Sequence, residues 1–462
     1  MRLPRIAAVL AVCLLSGPVF SAGSEPLRLT PDDMRRAARD SLAVGASDQA
    51  LALADALLAR DPQDLTAHLI RASALRNLGR TDEARDAARA AWDLAEEDPD
   101  KFASAMVMAQ VLSTAGQKTW AQIWLRRAVE LAPHENLERL AIRDFRYVRA
   151  ANPWSSRFSF SITPDSNINN GSAYRTSFLN YELTEALFGQ PVQYQLSGAA
   201  VALSGIEFEL GADTRYRFWQ TERQAQDVYL ELDYRHFELT GDARNEAPGV
   251  KGSDFDFASV FLGYGYRAYN FGADGEFAFR ADVGQSWYGY DEFAQYLRAS
   301  ALQSYALTGR TRINGRIAGE WQYGINTTDV TTYSAEAWAA HFFPNGRQLR
   351  VILSGAVADS PVASEEYAEL GIGASLVFGE LFEGAGLQMG LDYRGRDYDV
   401  SPHSPDGRQD HRLAASATVI FTGLDYFGFN PTMTVYAQNT ESNIALYEAR
   451  RFGVNFGIQS AF

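Results

Sequence analysis

Two hydrophobic periods divide this chain. Across residues 31–150, apolar positions recur at helical spacing in stretches rich in Ala, Leu and Arg. After Trp154 the period drops to two and holds to the end. The last stretch shows it most cleanly. Phe452, Val454, Phe456, Ile458, Ser460 and Phe462 share one parity, while Arg451, Gly453, Asn455, Gly457, Gln459 and Ala461 share the other. A period of two puts each set on its own face of a β-strand. Such a strand suits a half-buried soluble sheet or a membrane barrel, and the rest of the chain has to decide. Pro153 biases Asn152 away from helix and marks the change of period.

The helical part carries a repeat. Gly45 is followed by Ala50 and Pro62, Gly79 by Ala84, and Gly116 by Ala121 and Pro133. Gly45 and Gly79 are 34 residues apart, the tetratricopeptide period, and Gly79 and Gly116 are 37 apart, with the excess in residues 96–101. A small residue lets two helices turn tightly, alanines such as Ala50, Ala54, Ala84 and Ala88 let them approach, and a following proline ends the pair. The spacing predicts about three tetratricopeptide-like repeats and a final helix over residues 138–150. Solenoids of this type offer a groove to a peptide or protein, which points to a docking module.

Beyond the switch, alternation predicts about fourteen strands, from residues 154–163 to residues 451–462. The fourth is recognised by Phe255, Phe257 and Phe261, and the eighth, residues 331–343, alternates poorly. Every second connection is short, as at Thr221-Glu222-Arg223 and Thr308-Gly309. Those between are mostly longer and polar, notably residues 241–252 and 397–410. Short turns on one side and long loops on the other are the pattern of a transmembrane β-barrel. An open sheet edge in hydrocarbon leaves unpaired N–H and C=O groups, so the last strand must pair with the first. An even strand number returns both ends to one side, which would put the helical domain in the periplasm. Aromatics near strand ends (Trp219, Trp287, Tyr288, Tyr290, Tyr323) suit an interfacial girdle. Glu207, Glu231, Asp233, Arg235, Arg280 and Arg316 suit a polar lumen.

The fold class expected is therefore α + β in two domains, an α-solenoid followed by a transmembrane antiparallel barrel. The boundaries are residues 1–22 for a signal peptide, 23–152 for the helical domain and 153–462 for the barrel. The signal peptide is read from Arg2 and Arg5, the apolar run over residues 6–15 and the small residues Ser21, Ala22 and Gly23. Cys13, the single cysteine, falls inside it, so the processed chain is expected to lack disulfides and thiol chemistry. A net charge of −15 argues against a general nucleic-acid partner. The mean hydropathy of −0.23 excludes a helical membrane protein but not a barrel, whose alternating strands average to neutral.

One stretch breaks the alternation. Directly after the first strand come Pro164, Asp165, Ser166, Asn167, Ile168, Asn169 and Asn170, dense in turn formers that bond nearby backbone. An amphipathic stretch follows (Phe178, Leu179, Leu183, Ala186, Leu187), then Phe188-Gly189-Gln190-Pro191. This long first loop either folds inward as a plug or stays outside as a lid. With the repeats ahead of it and an aromatic C-terminus behind, the chain resembles the surface lipoprotein assembly modifier (Slam) family. The resemblance implies a fourteen-strand outer-membrane barrel that helps move particular proteins to the cell surface. Many clients of the family are lipoproteins, and some relatives handle soluble cargo. No catalytic residue carries over; Asp165, Asn167 and Asn169 match the family motif without an assigned role.

No catalytic, cofactor or metal constellation stands out. The six histidines form no close pair, and phosphate-loop and nucleophile-elbow motifs are missing. Asp254, Asp256, Asp397, Asp399 and Asp406 are read as solvated loop charge. The expectation is a non-enzymatic outer-membrane protein that displays or translocates a client lipoprotein or secreted protein. Its other partners would be outer-membrane lipid and the barrel-assembly machinery, the latter reading Phe462 as an insertion signal. The alternatives are a polysaccharide exporter and a diffusion porin with a scaffolding domain.

Overall fold

The computed structural model describes residues 29–461. The expected signal peptide with Cys13, and Phe462, lie outside the described residues.

Seven helices come first: α1 (Pro31–Ala43), α2 (Ser47–Arg60), α3 (Leu65–Asn77), α4 (Thr81–Leu94), α5 (Asp98–Thr114), α6 (Lys118–Glu130) and α7 (Glu135–Ala151). Thr30 caps α1, accepting from the Asp33 N–H, with Pro31 in the first turn. Asp64 caps α3 and also pairs with Arg35 at 2.7 Å. Gly45, Gly79 and Gly116 all adopt positive φ, near 80°, at the hairpin turns the repeat predicts. Ala50, Ala54, Ala84 and Ala88 are fully buried, as close helix approach requires. The longer third spacing is an extra turn on α5, which has 17 residues against 13 in α3. The final helix begins at Glu135, earlier than the expected 138, because His134 already provides an extended N-cap. Helix ends at Ala151 and strand begins at Trp154. The chain forms two compact units that meet between Glu96 and Glu97, so α5–α7 belong to the same unit as the strands. No described helix is long and apolar enough to cross a membrane.

The barrel strands are β1 (Trp154–Asp165), β4 (Gly205–Gln220), β5 (Gln224–Leu239), β6 (Phe257–Asn270), β7 (Gly275–Tyr288), β8 (Asp291–Thr308) and β9 (Thr311–Gly324). They continue as β10 (Val330–Phe342), β11 (Gln348–Asp359), β12 (Tyr367–Phe382), β13 (Ala385–Tyr398), β14 (Arg408–Ile420), β15 (Phe429–Ser442) and β16 (Ala449–Ser460). Between β1 and β4 lie a small hairpin, β2 (Thr176–Phe178) and β3 (Gln193–Gln195), and a helix, α8 (Tyr181–Phe188). A further short helix, α9 (Gly241–Glu246), sits between β5 and β6. The fourteen barrel strands pair antiparallel with their sequence neighbours, and β16 returns to β1 to close the cylinder.

Each predicted strand coincides with one observed, and the fourth carries aromatics on its inward face. On β6 the aromatics Phe257 and Phe261 point inward, opposite Arg235 and Glu231 in register. Phe261 is buried beneath the Arg298 guanidinium, 3.7 Å above its ring. The outward-facing side chains include Leu262 and Tyr264, and Phe255 lies in a 3₁₀ turn before the strand. Short turns and long loops alternate around much of the barrel, with exceptions: residues 421–428 make an eight-residue connection on the short-turn side, and residues 325–329 a five-residue one on the long-loop side. On the long-loop side, β7 and β8 are joined by only Gly289 and Tyr290, both at positive φ as a type I′ hairpin requires.

Candidate functional site

The predicted motif forms a clasp at the long-loop end of the β1–β16 seam. Asp165 ends β1 with its side chain buried, accepting from the Arg451 guanidinium on β16 and from the Tyr436 hydroxyl on β15. It also accepts from the Asn167 N–H at 2.8 Å, an Asx turn that bends the chain off the strand. The ring of Tyr436 lies across Gly453, where any β-carbon would come within 2.4 Å of its hydroxyl oxygen. Ser166 bonds Phe452 twice: its N–H donates to the Phe452 carbonyl at 3.0 Å, and its hydroxyl accepts from the Phe452 N–H at 2.9 Å. Asn167 is fully buried; its amide donates to the carbonyls of Gly171 at 2.9 Å and Arg450 at 3.2 Å and accepts from the Gly171 N–H. Gly171 packs so tightly against Val201 that a β-carbon would meet its carbonyl oxygen at 2.2 Å.

The rest of the motif turns to the returning chain. Asn169 donates to the carbonyls of Ala199 and Val201 and accepts from the Leu203 N–H at 2.8 Å. Ile168 is buried with Leu203, Phe237, Leu239, Ala243 and Ala247 in a small apolar core under the long loops. Pro164 is exposed on the outer face, and Asn170 takes the left-handed conformation at φ 52°. The motif therefore ties β1, β16 and the chain before β4 into one knot. Its partners Arg450, Arg451 and Tyr436 were not singled out beforehand. Arg451 stands as the lone charge on the small, inward face of the last strand, and that was the available signal.

The segment after the motif is a lid. Ala173 donates to the Glu448 carbonyl, Tyr181 to the Pro402 carbonyl, and the Asn180 N–H to Nδ1 of His403 at 3.1 Å. Arg175 pairs with Glu246 on α9. These partners lie in the loops at the long-loop end. Phe178 and, on α8, Leu183, Leu187 and Phe188 are exposed.

Below the clasp, charged side chains on inward parity are paired. Arg235 reaches Asp233 at 3.2 Å and Glu207 at 3.9 Å; Arg280 reaches Asp282 at 2.7 Å and Glu231 at 3.0 Å. Arg316 sits opposite Glu336 in register. The aromatics expected at strand ends, Trp219, Tyr288, Tyr290 and Tyr323, are exposed. Among the loop aspartates, Asp256 is taken up by the Phe237 N–H and the His236 ring, and Asp254 by the Lys251 N–H.

At the opposite, short-turn end the seam is built differently. The β1–β16 ladder pairs Ser161 with Gly457, Ile162 with Phe456 and Asp165 with Gly453, and goes no further inward. From Trp154 to Phe160, β1 pairs only with β4. The matching end of β16 stays on β15, through Ile458, Gln459 and Ser460. Helix α6 contacts the chain just ahead of β1 and the end of β16. Lys118 donates to the Ala151 carbonyl at 2.7 Å, and Thr119 accepts from Asn152, just ahead of β1. Arg126 donates to the carbonyls of Phe427 and Gly428 and to the Ser460 hydroxyl, and its guanidinium lies 4.2 Å above the Phe429 ring. Glu130 accepts from the Phe427 N–H. No sequence pattern marked these residues.

The family model described as surface lipoprotein assembly modifier matches residues 154–459. No curated protein matches the chain. Among solved structures, an outer membrane channel from Pseudomonas putida F1 aligns at 10% identity and TM-score 0.30, over 65% of this chain and 95% of its own. OmpT of Vibrio cholerae aligns at 9% identity and TM-score 0.33, over 67% and 97%. The first tetratricopeptide domain of the human RPAP3 protein aligns at 16% identity and TM-score 0.24, over 26% and 94%. Similarity at this level carries no functional information. The family match spans the barrel from its first strand to its last, and the chain is an outer-membrane β-barrel protein belonging to the surface lipoprotein assembly modifier family.

Proposed function

We propose that this protein delivers specific client lipoproteins or secreted proteins across the outer membrane to the cell surface. The observation that carries this is the family match over residues 154–459, downstream of a tetratricopeptide-like helical array. In this reading the helices up to Ala151 lie in the periplasm and receive the client, because both ends of an even-stranded barrel emerge on the short-turn side. Exposed apolar side chains on α6 and α7 (Trp120, Ile123, Tyr147) supply contact area for such docking. The lid over residues 166–204 then faces the exterior. The work is transport, without catalysis or a cofactor. The barrel-assembly machinery inserts the protein, with Phe462 as the terminal aromatic signal, and membrane lipid covers the apolar face.

The test is deletion of the gene, followed by protease shaving of intact cells with total protein as reference. The expected result is that one or more lipoproteins or secreted proteins lose surface exposure while their total amounts hold. If no protein loses exposure and exported polysaccharide falls instead, the proposal is wrong and polysaccharide export replaces it.

A further inference from the structure

We propose that the β1–β16 seam is a lateral gate, and that the open edge of β1 from Trp154 to Phe160 receives an extended segment of the client by main-chain pairing. The inference rests on the delivery function proposed above and adds the route.

Three observations lead to it. The first is the unfinished ladder. Beyond Ser161 the pairing with β16 stops, although continuing the register would bring Phe160 opposite Ile458 and Ser159 opposite Gln459. Both strands remain fully formed and held by their other neighbours through this region. What is missing is therefore the contact between them, not the strands themselves. Unpaired N–H and C=O groups at membrane depth cost several kcal/mol each. Lipid tails offer them nothing, whereas an extended polypeptide offers the alternating donors and acceptors of a strand.

The second is the position of α6. It holds the chain just ahead of β1 at Lys118 and Thr119, and the β16 side at Arg126. One helix therefore contacts the chain on both sides of the unpaired stretch.

The third is the asymmetry. The outer end of the same seam is clasped by Asp165, Ser166 and Asn167 against residues 450–452. A segment entering at the open inner end would meet a short zipped stretch and then this clasp. Beside the open edge, a groove of about 540 Å³ is lined by Phe158, Phe160, Leu210, Leu232, Trp287 and Ile458. Its apolar wall lies on the lipid-facing parity of both seam strands and suits apolar side chains of a strand added there.

The test locks the zipped stretch in the full-length protein in cells. Ser161→Cys with Gly457→Cys places two thiols on directly opposed, inward-facing positions; Ser354→Cys with Gly371→Cys does the same on the β11–β12 ladder as a control. Surface exposure of lipoproteins is read by protease shaving, before and after reduction, and barrel insertion by heat-modifiable migration. The expected result is loss of exposure to the level of the gene deletion in the oxidised seam variant, recovery on reduction, and no change in the control. Wild-type delivery through an oxidised seam, or a loss that reduction does not reverse, overturns the gate. A disulfide-linked homodimer of a Ser159→Cys variant would show that a second copy covers the edge and would also overturn it. If the gene deletion itself leaves every lipoprotein exposed, the delivery function fails instead.

Discussion

At its long-loop end the β1–β16 seam is held by a buried carboxylate, a fully buried asparagine amide and a serine that bonds one residue twice. At its short-turn end, within one strand length, the two strands share no ladder, and one helix contacts the chain on both sides. Every other ladder in the barrel pairs along most of its length, as β1 does with β4 from Trp154 to Asp165. The contrast shows that a barrel can satisfy closure locally. A few pairs and a tight polar knot keep the cylinder shut at one end while the other end is left as a strand edge. The polar knot is costly to build in low dielectric and is tolerated because each member finds a partner.

Four changes would break or sharpen this contrast. The largest effect is expected at the long-loop end. Asp165→Ala leaves the Arg451 guanidinium with Glu207, at 3.2 Å, and removes the Tyr436 acceptor. Loss of one member of a buried charged set costs about 3–5 kcal/mol. The urea midpoint of the detergent-solubilised barrel should fall accordingly, and an unchanged midpoint would mean the clasp does not hold the seam.

Next is Arg126→Ala at the short-turn end. It removes bonds to Phe427, Gly428 and Ser460, where a hydrogen bond to a charged group contributes about 1.5–3 kcal/mol. With that contact gone the strands should zip. A Ser159→Cys and Gln459→Cys pair, expected to stay reduced in the parent, should then oxidise to a disulfide. Gly453→Ala drives a methyl group into the Tyr436 ring and should destabilise by about 1–3 kcal/mol, the range for overpacking. The smallest effect concerns the lid. Burial, with Arg408 nearby, holds His403 below its ordinary value of 6.5. Its Nδ1 accepts from the Asn180 N–H and must be unprotonated to do so. A lowered value means the tie is intact above pH about 6.5 and weakens as pH falls below it. Protease nicking of the lid should rise in mild acid, and His403→Gln should remove that pH dependence.

Much of the fold was legible because alternation is a local signal that survives wherever one face meets lipid and the other water. The strand count follows from it, and the helical repeats at Gly45, Gly79 and Gly116 follow from a second local signal, the 34-residue spacing of turn and packing residues. The faces of the fourth strand were not legible, because Phe257 and Phe261 are aromatics on the water-side parity, sheltered by Arg235 and Arg298, and hydrophobicity alone does not say which face they take. The motif at residues 164–170 announced itself by turn formers. Its partners did not, since Arg450, Arg451 and Phe452 lie more than 280 residues downstream and carry no pattern linking them to it. The open edge was invisible for a related reason. Periodicity gives each strand its faces, but not how far two strands distant in sequence stay paired. Arg126 is one basic residue on a helix with several.

The most direct measurement is dipolar broadening between spin labels in the barrel reconstituted in a bilayer, with one pair at Ser161→Cys and Gly457→Cys and the other at Ser159→Cys and Gln459→Cys. The two pairs differ by two positions along each strand. Strong, uniform broadening at the first pair and weaker, more widely distributed coupling at the second would confirm a seam closed at the long-loop end and parted at the short-turn end. Equally strong, uniform broadening at both would contradict it.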